Sequence, residues 1–352
     1  MNRRRTKKVR CGNLYIGGNS PVSIQSMTNT DTRDINKTIY QIKGLEETGC
    51  EIVRIAIPDM EAAMAVSQIK KSISIPLVAD IHFDYRLALK CMENGIDKLR
   101  INPGNIGDIE RVKKIVWEAK SREIPIRIGV NAGSLEKSVI QKYGVTPRAL
   151  VESAMEHVNI LEALDFDKTI ISLKASDVKL TLDAYKLLVE RVDYPLHIGI
   201  TEAGTVWRGT IKSSIGIGAL LLNGVGDTLR VSLTGDPIEE VKVAKEILQS
   251  LDIRNFGINF ISCPTCGRTQ IDLVQLTKEI EKNLSHVKLP ITVAVMGCAV
   301  NGPGEAREAD LGIAGGKGSA LLFKKGKIIR KVSENEIIDA VLEEVKKIAK
   351  GE

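Results

Sequence analysis

The chain has 352 residues, 43% hydrophobic and 27% charged, with a net charge of +6; that fills a core, excludes a disordered or fibrous chain and suits about two domains. Aromatic residues are only 4% and basic residues interleave with acidic ones, so a nucleic-acid partner is not expected. The longest apolar stretches fall well short of the ~20 residues that span a bilayer, and no apolar segment follows the basic start of the chain, so no membrane anchor or secretion signal is expected and a reducing cytoplasm is.

In chain order, residues 1–10 read as a solvated basic tail. Eight short β-branched runs then alternate with longer amphipathic ones. The predicted strands are 22–26, 52–57, 77–80, 98–101, 126–130, 169–173, 196–200 and 229–233. Helices are predicted near 35–48, 60–71, 84–94, 108–122, 147–164, 179–191, 208–222 and 237–250. Pro58-Asp59, Thr146-Pro147 and Asp236-Pro237 stand where helices should begin. Strand–helix alternation demands parallel pairing, and eight units close a barrel. The fold class expected is therefore α/β: an N-terminal (β/α)8 TIM barrel over 1–250, with an open doubly wound sheet as its competitor. A smaller α+β domain over 251–352 follows. It holds strands 257–261 and 291–295 around a helix at 270–283. A small antiparallel set at 311–314, 320–323 and 327–332 comes next, and a charged helix at 334–350 ends the domain.

A barrel carries its active site at the carboxyl ends of its strands. There the sequence places Arg54, Arg100, Arg127, Lys174 and Arg230, the carboxylates Asp80 and Glu202, and the neutral His82, Asn102, Asn131 and Ser232. An arginine between aliphatics within a strand is buried or lines a cavity, and buried charge needs a partner. Five cations against two carboxylates leave three to be balanced, unless acids on the surrounding helices pair them. A phosphate or diphosphate would supply that charge, and the guanidinium fork suits its oxygens. The loops 201–204 and 232–235 stand where barrels often bind phosphate. His197, within a strand, reads as a satisfied core histidine, and His157 and His286 carry no functional reading.

Cys263-Pro264-Thr265-Cys266 and Gly297-Cys298-Ala299-Val300-Asn301-Gly302-Pro303-Gly304-Glu305 form the strongest chemical signal. Three thiolates with a neighbouring oxygen donor suit an iron–sulfur cluster with one differently bound iron. A zinc site with a carboxylate or His286, and a redox pair that leaves Cys298 unused, remain open on the residues alone. Cys11, Cys50 and Cys91 read as ordinary small residues.

Six segments carry a resemblance that runs over nearly the whole chain. Four lie in the barrel, the first three being Ser23-Ile24-Gln25-Ser26-Met27-Thr28-Asn29-Thr30, Leu99-Arg100-Ile101-Asn102-Pro103-Gly104-Asn105 and Ile126-Arg127-Ile128-Gly129-Val130-Asn131. His197-Ile198-Gly199-Ile200-Thr201-Glu202-Ala203-Gly204 is the fourth, and the paired cysteine segments complete the set. The chain resembles the 4-hydroxy-3-methylbut-2-enyl diphosphate synthase family, the iron–sulfur enzymes of the non-mevalonate isoprenoid pathway, in its two-domain bacterial form. The resemblance implies a [4Fe–4S] cluster on the positions matching Cys263, Cys266, Cys298 and Glu305. It also implies reductive opening and dehydroxylation of 2-C-methyl-D-erythritol 2,4-cyclodiphosphate. Arg54, Arg100, Arg127, Lys174, Arg230 and Ser232 are then the expected diphosphate contacts, and Glu202 the candidate proton donor. A ferredoxin or flavodoxin is the expected electron donor, since the sequence shows no flavin or nicotinamide site. A linker of about six residues reaches ~20 Å at most, no more than the usual ~17–20 Å length of a strand. Since barrel helices end on the face opposite the active site, a homodimer is expected in which each cluster serves the other subunit's barrel.

Overall fold

The computed structural model describes residues 3–106, 108–298, 304 and 306–351. The chain divides into two units, Met1–Arg254 and Asn255–Glu352.

In the first unit, β1 (Lys8–Cys11) and β2 (Leu14–Gly17) form an antiparallel hairpin around Gly12, whose φ of +58° suits a residue without a Cβ. Its inward residues Val9, Cys11 and Ile16 pack on Ile52, Val78 and Ile170 of the barrel. The basic start is thus not a solvated tail. Val9 and Cys11 are buried, and the Arg3 guanidinium donates to the carbonyls of Gly18 and Ser20. The burial alternates along Lys8–Cys11 because apolar and basic residues alternate there, a strand signal that the charge count concealed.

Eight parallel strands follow: β3 (Ser23–Met27), β4 (Ile52–Ala56), β5 (Leu77–Asp80), β6 (Lys98–Ile101), β7 (Ile126–Asn131), β8 (Thr169–Lys174), β9 (His197–Ile198) and β10 (Thr228–Leu229). They pair in chain order, β10 lies beside β3, and a parallel bridge between Ile171 and Leu196 joins the remaining edges. This is the expected barrel. Its helices are α1 (Ile35–Thr48), α2 (Met60–Lys71), α3 (Tyr85–Glu93), α4 (Pro103–Ile106), α5 (Ile109–Ser121), α6 (Lys137–Tyr143), α7 (Pro147–Ala163), α8 (Val178–Leu188), α9 (Val206–Leu222) and α10 (Pro237–Ser250). The side chains of Asp34, Asp59, Asp84, Asp108, Thr146, Asp177 and Asp236 each accept an N–H in the first turn of a helix. A cap of this kind contributes about 1 kcal/mol. The short α4 and α6 were not predicted; both are insertions after a strand end.

Alternation along the strands sorts the barrel. In β6, Leu99 and Ile101 alternate with Lys98 and Arg100; in β7, Ile126, Ile128 and Val130 alternate with Arg127 and Asn131; all but Asn131 are buried. Lys98 Nζ meets Gln25 Oε1 of β3 at 3.2 Å, which places the polar parity inside. Regular pairing of β9 and β10 is shorter than predicted. A Cβ on Gly199 would stand 2.3 Å from the Arg230 carbonyl oxygen, so the backbones converge just past the ladder.

In the second unit, β11 (Asn259–Ser262), β12 (Thr292–Met296), β13 (Leu311–Gly316), β14 (Ser319–Lys324) and β15 (Lys327–Ser333) form one sheet in that order. The first three pair parallel and the last three antiparallel, so the last set is not a separate antiparallel group: β13 belongs to both. Helices α11 (Leu273–Leu284) and α12 (Ile337–Lys350) cover it, with Ile280, Leu284, Val341 and Val345 packed in one core with Val293, Leu311 and Leu322. Among the described residues no helix is long and apolar enough to cross a membrane.

Candidate active site

At the carboxyl ends of the barrel strands lies a cavity of about 130 Å³ lined by Arg54, Asp80, His82, Arg100, Arg127, Asn131, Ser172, Lys174, Thr201, Arg230 and Ser232. A wider groove of about 590 Å³ shares His82, Arg100, Asn131 and Thr201 with it and adds Asn102, Asn105 and Glu202. The barrel therefore gathers the expected pocket residues. Glu202, exposed and at φ +50°, stands in the groove and not among the cations.

Asp80 organises one wall. Its carboxylate meets Arg100 Nη1 at 3.1 Å, His82 Nε2 at 3.3 Å and Arg54 Nε at 3.9 Å. Burial alone would raise this carboxyl, but Arg54, the His82 hydrogen bond and Arg100 hold it well below the usual range. Arg100 also donates to the Gly129 carbonyl at 3.1 Å, and a Cβ on Gly129 would stand 2.5 Å from its Nε. Only glycine leaves room for that guanidinium.

The second paired carboxylate is not Glu202 but Glu240 on α10, a buried residue that receives Arg230 Nε and Nη2 at 3.4 Å each. No local pattern separates it from its neighbour Glu239. The surplus survives this correction. Arg54, Arg100, Arg127, Lys174 and Arg230 still face two paired acids, Asp80 and Glu240, with the fully buried Lys98 beneath them.

Burial lowers the guanidinium of Arg54 to about 10 and the amine of Lys98 to about 8. Burial and then Arg127 push Lys174 well below its ordinary value. Arg127, 1% exposed, is lowered by burial and by Arg54 and Arg100, and its Nε and Nη1 find no hydrogen-bond partner among the described residues. His197 is buried as expected but not satisfied: neither ring nitrogen is hydrogen-bonded among the described residues, and burial followed by Arg127 and Lys174 pushes it well below the ordinary imidazole value. Cationic groups so placed are electrostatically incomplete, and a multiply charged anion completes them.

In the second unit, Cys263 and Cys298 follow the ends of the adjacent parallel strands β11 and β12. The Gly297 N–H donates to Cys263 Sγ at 3.2 Å. Cys266 is exposed, and hydrogen bonds from Arg268 hold its thiol below the ordinary value. All six cysteines are free. Among the described residues no three Cys, His, Asp or Glu side chains converge on a single-ion site. Three soft thiolate donors with an N–H directed at Cys263 Sγ have the donor chemistry of an iron–sulfur cluster, and thiolates suit zinc as well. Glu305, the expected fourth ligand, lies outside the described residues.

A family model described as the GcpE TIM-barrel domain matches residues 6–245, and one described as the GcpE protein C-terminal domain matches 259–347. The chain belongs to the GcpE family. Curated relatives agree with this membership. The 4-hydroxy-3-methylbut-2-en-1-yl diphosphate synthase (flavodoxin) of Clostridium perfringens is 60% identical over 349 residues, 99% of this chain and 100% of that protein. The synthase of the same name from Geobacter sulfurreducens is 60% identical over 345 residues, 98% of each chain. Among solved structures, dihydropteroate synthase from Stenotrophomonas maltophilia matches 70% of this chain and 98% of its own at 11% identity, with a TM-score of 0.52. That likeness concerns the fold alone.

Proposed function

We propose that this GcpE protein is a cytoplasmic 4-hydroxy-3-methylbut-2-enyl diphosphate synthase. It takes 2-C-methyl-D-erythritol 2,4-cyclodiphosphate, opens the ring with two electrons and releases one hydroxyl as water. The observation that carries the reading is the buried Arg127 guanidinium, whose Nε and Nη1 lack partners among the described residues, in the lining of a cavity with three surplus positive charges. Synthases of that name are about 60% identical to the chain.

Arg127, Lys174, Arg54 and Arg230 bind the two phosphates, with Ser232 donating from the loop after β10. Asp80 keeps Arg100 and His82 fixed at the wall, and Asn102 and Asn131 orient the carbon skeleton. Glu202, at the groove, gives the proton that lets a poor leaving group depart as water. Cys263, Cys266, Cys298 and Glu305 would hold a [4Fe–4S] cluster, which supplies single electrons and Lewis acidity. Flavodoxin, part of the relatives' name, is the proposed donor.

Anaerobic incubation of the full chain with reduced flavodoxin and the cyclodiphosphate, followed by phosphorus NMR, tests this. An acyclic diphosphate that has lost one oxygen supports it. Unchanged substrate from an iron-replete preparation rules it out.

A reciprocal homodimer, in which each cluster serves the partner's barrel, is part of the proposal; the linker between α10 and β11 is residues 251–258, longer than the six residues expected, so the mixing experiment and not linker length carries it. Mixing inactive Cys298→Ala chains with inactive Glu202→Gln chains should restore activity, up to about one quarter of wild type if the chains pair at random and each dimer's two sites work independently. Mixed dimers that stay inactive would end the shared-site proposal.

A further inference from the structure

Glu240 lies outside every motif that carries the proposed chemistry, yet it is 4% exposed on the first turn of α10. Its carboxylate ties three segments together. Oε2 accepts from the Ser26 hydroxyl of β3 at 2.9 Å, and Oε1 accepts from the Leu233 N–H in the loop after β10 at 3.1 Å. Arg230 supplies Nε to the first oxygen and Nη2 to the second, each at 3.4 Å. A buried carboxylate persists when it is both charge-paired and hydrogen-bonded, and here both conditions hold.

The consequence falls on Arg230. With Nε and Nη2 turned toward Glu240, its Nη1 is left over the Met27 sulfur at 3.7 Å. Arg54 reaches that same sulfur with Nη2 at 2.8 Å and Nε at 3.0 Å. Two guanidinium groups thus crowd one neutral thioether, and nothing in the sulfur opposes their repulsion. A carboxylate on the far side of Arg230 does.

We propose that Glu240 is the positioning residue for Arg230, holding its guanidinium beside Arg54 with one edge presented to the diphosphate and tying the loop that carries Ser232 to β3. This deepens the diphosphate reading above and rests on it. Positioning and charge make opposite predictions. If Glu240 merely subtracts charge from an anion site, its neutralisation tightens binding. If it positions Arg230, neutralisation weakens binding and does so through Arg230.

The test is a cycle of wild type, Glu240→Gln, Arg230→Met and the double variant, with Ser26→Ala beside them. KM and kcat are read with the cyclodiphosphate, and binding of the cyclodiphosphate and of inorganic pyrophosphate is read by thermal shift on the same anaerobic preparations. Glu240→Gln should raise KM and weaken pyrophosphate by about tenfold, with kcat nearly unchanged, and add nothing further in the Arg230→Met background. Ser26→Ala, which keeps the charge, should shift KM the same way by less. A lowered or unchanged KM in Glu240→Gln, or additive effects in the double variant, would overturn the proposal. Should Glu240→Gln not fold, an unchanged KM in Ser26→Ala overturns it. A wild-type protein that ignores the cyclodiphosphate refutes the functional reading itself; wild-type binding that Glu240→Gln leaves intact refutes only the role of Glu240.

Discussion

Replacing Arg127 by methionine is expected to stabilise the protein while removing its affinity for the cyclodiphosphate. The guanidinium is 1% exposed, two of its nitrogens lack partners among the described residues, and Arg54 and Arg100 repel it. An unpaired buried ion carries a desolvation penalty of several kcal/mol, so exchanging it for an apolar side chain of similar length should raise the unfolding midpoint. The same exchange removes a desolvated cation from an anion site, and binding should weaken about 100-fold or more, roughly 3 kcal/mol. Calorimetric unfolding and titration on one preparation measure both quantities. A lower midpoint with unchanged affinity would mean that Arg127 serves the fold and not the ligand.

Cys298→Ala is expected to separate the two halves of the chemistry. Anaerobic preparations should lose bound iron, sulfide and visible absorption, and turnover should fall to background. Binding of the cyclodiphosphate should persist, because the cavity is built entirely from residues of the first unit. Zinc at one atom per wild-type chain, or a variant with full iron and activity, would contradict the cluster assignment.

Much of this was legible in the residues because period-2 burial leaves a plain trace. Lys98-Leu99-Arg100-Ile101 and Ile126-Arg127-Ile128 announce strands with one polar parity, and the aspartates before the helices act as caps. Sequence alone could not pair charges across the chain. Glu240 meets Ser26 over 214 positions and Arg230 over ten, and no local pattern distinguishes it from Glu239. The hairpin of β1 and β2 was hidden differently: the exposed parity of β1 is basic, so composition suggested a tail. The close approach of Gly199 to the Arg230 carbonyl just past β9 and β10 is likewise a contact across the chain that no local pattern shows.

The most direct measurement is a crystal structure of the protein with 2-C-methyl-D-erythritol 2,4-cyclodiphosphate, in which the two phosphorus atoms are located. Both are expected inside the cavity at the strand ends, with their oxygens hydrogen-bonded to Arg127, Lys174 and Arg230. Phosphorus bound only in the outer groove or away from the barrel mouth, with Arg127 still lacking an acceptor, would contradict the central claim that the buried cations exist to hold that anion.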